Sequence, residues 1–86
     1  MLNKETKRRL KGQAHPLKPL IQIGKNGLTP AALTTIDKAL TDHTLIKVKF
    51  NDHKTQKKEL SDTIAQQTKA DIVDLIGNTL ILHRQT

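Results

Sequence analysis

Two glycines that are separated by a lysine and an asparagine form the part of this sequence best suited to chemistry. This glycine loop (residues 24–27) lies between a short apolar run and a predicted helix start, and consists of Gly24, Lys25, Asn26 and Gly27. Glycine tolerates positive φ angles and lets another backbone approach closely. The unpaired N–H groups at a helix start and the charge of Lys25 favour an anion. The loop therefore predicts a cradle for a phosphate or a ribose-phosphate segment, and the alternative is a plain turn.

The glycine loop differs from the common phosphate-binding motifs. It lacks the Gly-Lys-Ser/Thr ending of a Walker A loop and the third glycine of a dinucleotide-binding fingerprint. KH domains clamp nucleic acid with a Gly-x-x-Gly loop, but theirs lies between two helices, whereas this one follows a predicted strand. The motif alone therefore does not identify a ligand.

Catalytic and metal-binding groups are sparse in the rest of the chain. Its four histidines are His15, His43, His53 and His83. They form no close pair at ligand spacing, and no cysteine supports them. Asp71 and Asp74 should lie on opposite faces of a predicted strand, and Ser61 has no evident base. We therefore expect no enzyme, no metal and no cofactor, and a hydrolase using His15 or His83 is the weakest alternative.

Positive charge is concentrated at the start of the chain. The sequence has 15 Lys and Arg against 8 Asp and Glu, a net charge of +7. Residues 1–25 contain seven basic groups and only Glu5 as an acid, whereas the remainder has eight basic and seven acidic groups. This asymmetry favours a polyanionic partner, with a soluble domain carrying a basic leader as the alternative. A membrane partner is not expected, because the segment lacks a bulky apolar face and no long apolar run exists.

The elements that must position these groups follow from local patterns. Thr29 and Pro30 predict a helix start, the run LIKVKF alternates as a strand does, and Gly77-Asn78 predicts a hairpin. Together they predict a single domain over residues 1–86 in the order αβαβαββ. The helices are expected at 3–14, from about 29 onwards and at 54–69, and the strands at 20–23, 45–50, 71–76 and 79–84.

The predicted fold class is α/β, a two-layer sandwich with a four-stranded mixed sheet. Strands separated by helices should pair in parallel, and the final hairpin should add an antiparallel strand. Because the strands alternate between apolar and polar residues, the helices should lie mainly on one face and leave the other largely wet. Leu10 and Ala14 are the expected core contacts of the first helix.

Three longer stretches, GQAHPLKPLIQIGKNGLTPAAL, LIKVKF and IGNTLILHR, resemble the CRM domain. This chloroplast RNA splicing and ribosome maturation module occurs in bacteria as single-domain YhbY-like proteins. The resemblance covers essentially the whole chain and implies an RNA-binding α/β domain with the glycine loop in its contact surface. It also implies a fold like the C-terminal domain of a bacterial translation initiation factor, and association with precursor large ribosomal subunits. Lys69 departs from the pattern, because a glycine helix cap is expected there.

We therefore expect a cytoplasmic, monomeric protein that binds structured ribosomal RNA and assists assembly of the large subunit, without a small-molecule substrate. The alternative is a basic module that docks on an acidic protein partner. Phe50 is the only aromatic residue, so RNA should be held through phosphates, sugar hydroxyls and shape rather than by base stacking. The expected contacts form one continuous face and are Lys4, Lys7, Arg8, Lys11, Lys18, Gly24, Lys25, Asn26 and Gly27.

Several basic residues are left open or expected to matter less. Contacts from Lys47, Lys49 and His15 are left open. A second cluster, Lys54, Lys57 and Lys58, should contribute less, because Asp52, Glu59 and Asp62 partly balance it and Lys58–Asp62 has ion-pair spacing.

Overall fold

The computed structural model describes residues 2–85 and has the predicted order αβαβαββ. The helices are α1 (Lys4–Ala14), α2 (Pro30–His43) and α3 (Lys57–Thr68), and a 3₁₀ turn (Lys54–Gln56) precedes α3. The strands are β1 (Ile21–Ile23), β2 (Leu45–Phe50), β3 (Asp71–Ile76) and β4 (Thr79–His83). The bounds lie close to those predicted, because caps and turns are encoded locally.

The helix ends show that local encoding. The side chain of Asn3 accepts a hydrogen bond from the Thr6 N–H at 2.8 Å, and Thr29 Oγ1 accepts one from the Ala32 N–H at 3.1 Å. Such caps satisfy N–H groups that have no partner within the helix. At the end of α3, Lys69 has a left-handed φ of 56° and the Ala70 N–H donates to the Ala65 carbonyl at 2.9 Å. This left-handed position accounts for the glycine expected there.

The sheet has the strand order β1-β2-β4-β3. β1 and β2 pair in parallel and β3 and β4 antiparallel, as predicted. β3 was also expected to pair in parallel, as a strand that follows a helix. This expectation is wrong, because β4 lies between β2 and β3 and is antiparallel to both. Three consecutive residues of β4, Leu80, Ile81 and Leu82, are buried, so this strand needs cover on both faces and takes a central position.

Helices α2 and α3 cover one face of the sheet, which confirms the prediction that the helices lie mainly on one side. Ile36 and Leu40 of α2 and Ile64 of α3 are fully buried there. They join a core whose strand members are Ile21, Ile23, Ile46, Val48, Phe50, Leu80 and Leu82. The start of α2, and with it the glycine loop, is thereby fixed at the end of β1.

Helix α1 packs on the opposite face, so the expectation of a largely wet second face is wrong in part. Leu10 and Ala14 are buried as predicted, but they contact Val73 and Ile81 in a second, smaller core. α1 thus covers the part of this face formed by β3, β4 and the start of β2. Gln22 and Lys49, which face the same side, stay exposed.

A register shift in β3 changes the directions of its carboxylates. The shift lies between Ile72 and Asp74 in the pairing with β4. Asp71 is paired with His83 and Asp74 with Ile81, and these two partners lie on the same face of β4. The prediction that Asp71 and Asp74 lie on opposite faces is therefore wrong, because a bulge breaks the two-residue period of a strand.

Candidate nucleic-acid interface

The glycine loop is a tight turn at the end of β1. The Gly27 N–H donates to the Gly24 carbonyl at 3.0 Å, and Lys25 and Asn26 occupy the exposed corners. Gly27 has a φ of +67°, which disfavours any side chain, whereas Gly24 has no positive φ. A Cβ atom added to Gly24 would meet nothing within 4 Å. The backbone of the protein without a ligand therefore requires a glycine at position 27, but it does not require one at position 24.

The chain that follows β2 holds the glycine loop in place. The backbone N–H groups of Asn51 and Asp52 donate to the Ile23 carbonyl at 2.9 and 3.2 Å. His53 then reaches back, with its Nε2 atom 2.8 Å from the Lys25 carbonyl oxygen. Residues 51–53 therefore form a second loop packed against the first.

His53 is a part of this site that the sequence interpretation missed. Its backbone is left-handed, with a φ of 57°, and its N–H donates to Asp52 Oδ1 at 2.7 Å. The hydrogen bond with the Lys25 carbonyl is the main reason that the pKa of His53 is raised, and the charge of Asp52 adds to it. The two partners are 28 residues apart, so no local spacing could have revealed the contact.

The basic residues of α1 line the edge of the sheet formed by β3. Lys4, Lys7, Arg8 and Lys11 are exposed and border a shallow groove against Val73 and Asp74. Lys11 Nζ lies 2.9 Å from Asp74 Oδ2. The hydrogen bond from Lys11 is the largest cause of the lowered pKa of Asp74. The expectation that only Glu5 lies near this cluster is wrong, because β3 brings Asp74 to it.

The glycine loop and the basic groups of α1 are not adjacent. The loop follows β1, Lys11 pairs with β3, and these strands are the two edges of the sheet. Three strand spacings separate the edges, a distance of about 14 Å. Lys49, on β2 between them, is exposed on the α1 side. A continuous contact surface would therefore have to include Lys49, which the sequence left open.

Two other lysines form internal hydrogen bonds. Lys47 Nζ donates to the carbonyls of His15 and Leu17 at 3.1 and 3.0 Å, so it holds the turn after α1. Lys57 Nζ donates to the Gly77 carbonyl at 2.6 Å, which ties α3 to the β3–β4 hairpin. Lys18, in the turn that Lys47 holds, is exposed.

The second basic cluster is therefore divided. Lys54 and Lys58 are exposed, whereas Lys57 is partly buried and bonded to the hairpin. Across residues 2–85 the ion pairs are Lys11–Asp74 and Arg84–Asp37, so the spacing of Lys58 and Asp62 does not lead to a pair.

The described residues offer little for other chemistries. Between positions 2 and 85, no three His, Asp or Glu side chains are grouped as a metal site would require. None of the helices in that range combines the length and apolar character needed to cross a bilayer. Phe50 has 0% exposure, so the sheet presents no aromatic ring for base stacking.

Comparison with known proteins gives one consistent family. The sequence profile of the CRS1/YhbY (CRM) domain matches residues 2–84. A Haemophilus influenzae protein named as an RNA-binding protein is 43% identical over 84 residues, which cover 96% of this chain and 85% of that protein. A probable RNA-binding protein of Pseudomonas aeruginosa is 35% identical over 85 residues, covering 98% of this chain and 82% of its own length.

A solved structure agrees with the sequence comparison. The solution structure of a Staphylococcus aureus protein, described as a candidate RNA-binding protein, matches with a TM-score of 0.85 and 35% identity. The match covers 100% of this chain and 91% of that one. The profile match, the sequence relatives and the shared fold confirm the resemblance read from the glycine loop and its flanks: this chain belongs to the CRS1/YhbY (CRM) domain family.

Proposed function

We propose that this protein binds structured ribosomal RNA in precursor large ribosomal subunits, in the cytoplasm, and assists their assembly as a monomer. It acts by binding rather than by catalysis. Family membership and relatives that are named as RNA-binding proteins support RNA as the partner. The ribosomal precursor is the target that the CRM resemblance implies.

The observation that carries the proposal is that Gly24 is a glycine at an exposed position where the fold does not require one. Its backbone needs no glycine and a side chain there would meet empty space. A bare backbone at an exposed turn suits a ligand that approaches the main chain closely, as a phosphate or sugar does. Lys25 and Asn26, at the exposed corners of the same turn, would supply a positive charge and amide groups to that ligand.

The basic side chains extend this contact across the sheet. RNA that rests on the glycine loop would pass over Lys49 to reach Lys7 and Arg8 on α1. The phosphates of a folded RNA repeat along its backbone and can contact positive charges that are spread across the sheet. A surface without aromatic rings therefore suits the backbone of a folded RNA better than the bases of a single strand. The proposed contacts are the nine residues predicted from the sequence together with Lys49.

A sedimentation experiment tests the partner. Tagged protein in a bacterial extract should co-sediment with precursor large subunits, and ribonuclease treatment should release it. An acidic protein partner would instead remain bound after the ribonuclease step. That outcome would support the alternative of a protein-docking module and overturn the RNA proposal.

Matched charge removal tests the surface. Neutralising Lys7, Arg8 and Lys25 to Gln should weaken binding to large-subunit ribosomal RNA and flatten the log–log salt slope by about two units, since each lost phosphate contact removes about 0.7–0.9. The control neutralises three exposed lysines on the α2 and α3 side of the protein. These are Lys38, Lys58 and Lys69. Both triple variants lose the same charge, so equal losses of affinity would mean diffuse attraction and no defined surface.

A further inference from the structure

We propose that His53 is a positioning residue for the glycine loop and that its protonation tightens RNA binding. The inference deepens the proposed function and rests on it. It assigns a role to a side chain that lies outside the Gly-x-x-Gly loop itself.

The geometry places His53 against two residues of the loop. Its Nε2 atom is 2.8 Å from the Lys25 carbonyl oxygen, at the corner of the turn. The same ring lies beside Gly27, where an added Cβ would be 3.4 Å from Nε2 and 3.7 Å from Cδ2. The imidazole thus lies within ordinary van der Waals contact of the position that a Cβ atom of residue 27 would take.

Backbone bonds from Asn51 and Asp52 to the Ile23 carbonyl hold the base of this turn. Its own backbone closes it through the bond from the Gly27 N–H to the Gly24 carbonyl. Within residues 2–85, the contact from His53 is the one side-chain hydrogen bond that reaches the glycine loop. This imidazole is therefore the side-chain restraint on the direction of the Lys25 carbonyl.

His53 is itself held by its neighbours. The Asp52 carboxylate accepts its backbone N–H, and the Gln56 N–H donates to the His53 carbonyl at 3.0 Å. These bonds anchor the left-handed residue between β2 and the 3₁₀ turn. The backbone that carries the His53 ring is consequently fixed by hydrogen bonds on both sides.

Protonation should strengthen the contact. A neutral imidazole with hydrogen on Nε2 can donate to the Lys25 carbonyl, but an imidazolium donates a charge-assisted bond that is roughly twice as strong. It also adds a positive charge beside the proposed phosphate site. The charged side chains on the packed elements are Asp52 and Lys54 on the same loop and Lys25 on the glycine loop. Of these, Asp52 favours the protonated form.

The pH window follows from the direction of the shift. The Lys25 carbonyl, and then Asp52, raise the pKa of His53 above its ordinary value. The folded protein therefore holds this proton more tightly than the unfolded chain does. The extra restraint is present at low pH and is lost as the pH rises through the raised pKa.

Three variants separate positioning from general effects. His53→Gln keeps an N–H donor of similar reach but cannot titrate. His53→Asn tolerates the left-handed backbone but is too short to reach Lys25. His43→Gln is the control, because His43 is exposed at the opposite end of α2, about 20 Å from the loop by helix rise.

Affinity for large-subunit ribosomal RNA is then measured from about pH 5.5 to about pH 8.5, at constant salt. Wild-type protein and His43→Gln should gain affinity by about fivefold as the pH falls, the equivalent of one hydrogen bond. His53→Gln should bind like wild type at high pH and lose the part of the pH dependence that belongs to this residue. His53→Asn lacks the bond at every pH, so it should bind about fivefold more weakly than wild type at high pH and more weakly still at low pH. Wild-type affinity and pH dependence in His53→Asn would overturn the proposal.

A measurement without RNA keeps the two proposals apart. In an NMR titration of the protein alone, the backbone amides of Asn26 and Gly27 should shift with the midpoint of the His53 ring, and this coupling should vanish in His53→Gln. If the amides do not follow the ring, the positioning role is wrong. If they follow it but wild-type protein binds no RNA at low salt, the proposed function and the effect on RNA binding fall, while the positioning of the loop by His53 stands.

Discussion

Replacing the two glycines of the loop one at a time should separate folding from binding. The sequence treats Gly24 and Gly27 as equivalent, but the structure does not. We expect Gly27→Ala to destabilise the fold, whereas Gly24→Ala should leave the fold intact. Gly24→Val, which adds a branched side chain at the same open position, should retain the fold and impair binding to ribosomal RNA.

The magnitudes follow from the backbone and its surroundings. Gly27 has a φ of +67°, and an added Cβ would lie 3.4 Å from His53 Nε2. A left-handed residue with a side chain costs about 1–2 kcal/mol, which lowers the melting temperature by about 4–8 °C per kcal/mol in a domain of this size. Gly24 has an open environment and no positive φ. Its substitution by Ala should change the free energy of unfolding by no more than about 0.5 kcal/mol.

Thermal denaturation followed by circular dichroism, and RNA affinity at fixed salt, give the two measurements for each variant. The decisive comparison is Gly24→Val, with near wild-type melting and weakened binding. If Gly24→Val melts normally and binds RNA as wild type does, the loop is a plain turn. If Gly27→Ala melts like wild type, the positive φ does not constrain that position and the reasoning about the backbone is wrong.

Two further substitutions test other features of the structure. Lys69→Gly should raise the free energy of unfolding by about 1 kcal/mol, because Lys69 ends α3 with a left-handed φ of 56° that glycine adopts without strain. The control, Lys69→Ala, removes the same charge but keeps a side chain at the left-handed position. Equal melting temperatures of the two variants would contradict the predicted gain. Asp74→Asn should lower stability at neutral pH by about 0.2–1 kcal/mol, since its side chain is 36% exposed. The lowered pKa of Asp74 means that this contribution exists above the unfolded pKa and fades as acid protonates the folded form, so wild type and variant should converge in acid. The same variant should bind RNA more tightly, because Lys11 loses its acidic partner, and weaker binding would count against a role for Lys11.

Local patterns in the sequence were enough to predict the elements and much of the core. The cap at Thr29, the alternation in β2 and the Gly77-Asn78 turn each depend on neighbouring residues, and all three are present as predicted. Leu10 and Ala14 were correctly identified as buried, because helical spacing reports which side of a helix is apolar. The family was also recognisable, since the glycine loop and its flanks are contiguous stretches.

Only the tertiary structure shows which element the apolar face of each helix or strand packs against. The sequence indicated a buried side for α1, but only packing shows that it covers the face opposite α2 and α3. The central place of β4 had a sequence signal in its three consecutive apolar residues, because a strand buried on both faces does not alternate. The predicted parallel pairing overlooked that signal.

The candidate site divides in the same way. Its residue types and the exposed loop could be predicted from a contiguous motif, whereas the contacts that distinguish its members join distant parts of the chain. His53 reaches Lys25, Asp74 reaches Lys11, and Lys47 reaches the carbonyl of His15, each across more than two dozen residues. Spacing along the chain determines on which face of its helix or strand a side chain lies. The packing of the elements and the pairing of the strands determine which residues that face contacts. The sequence alone therefore predicted a basic loop and a basic helix, and the order of the strands placed them at opposite edges of the sheet.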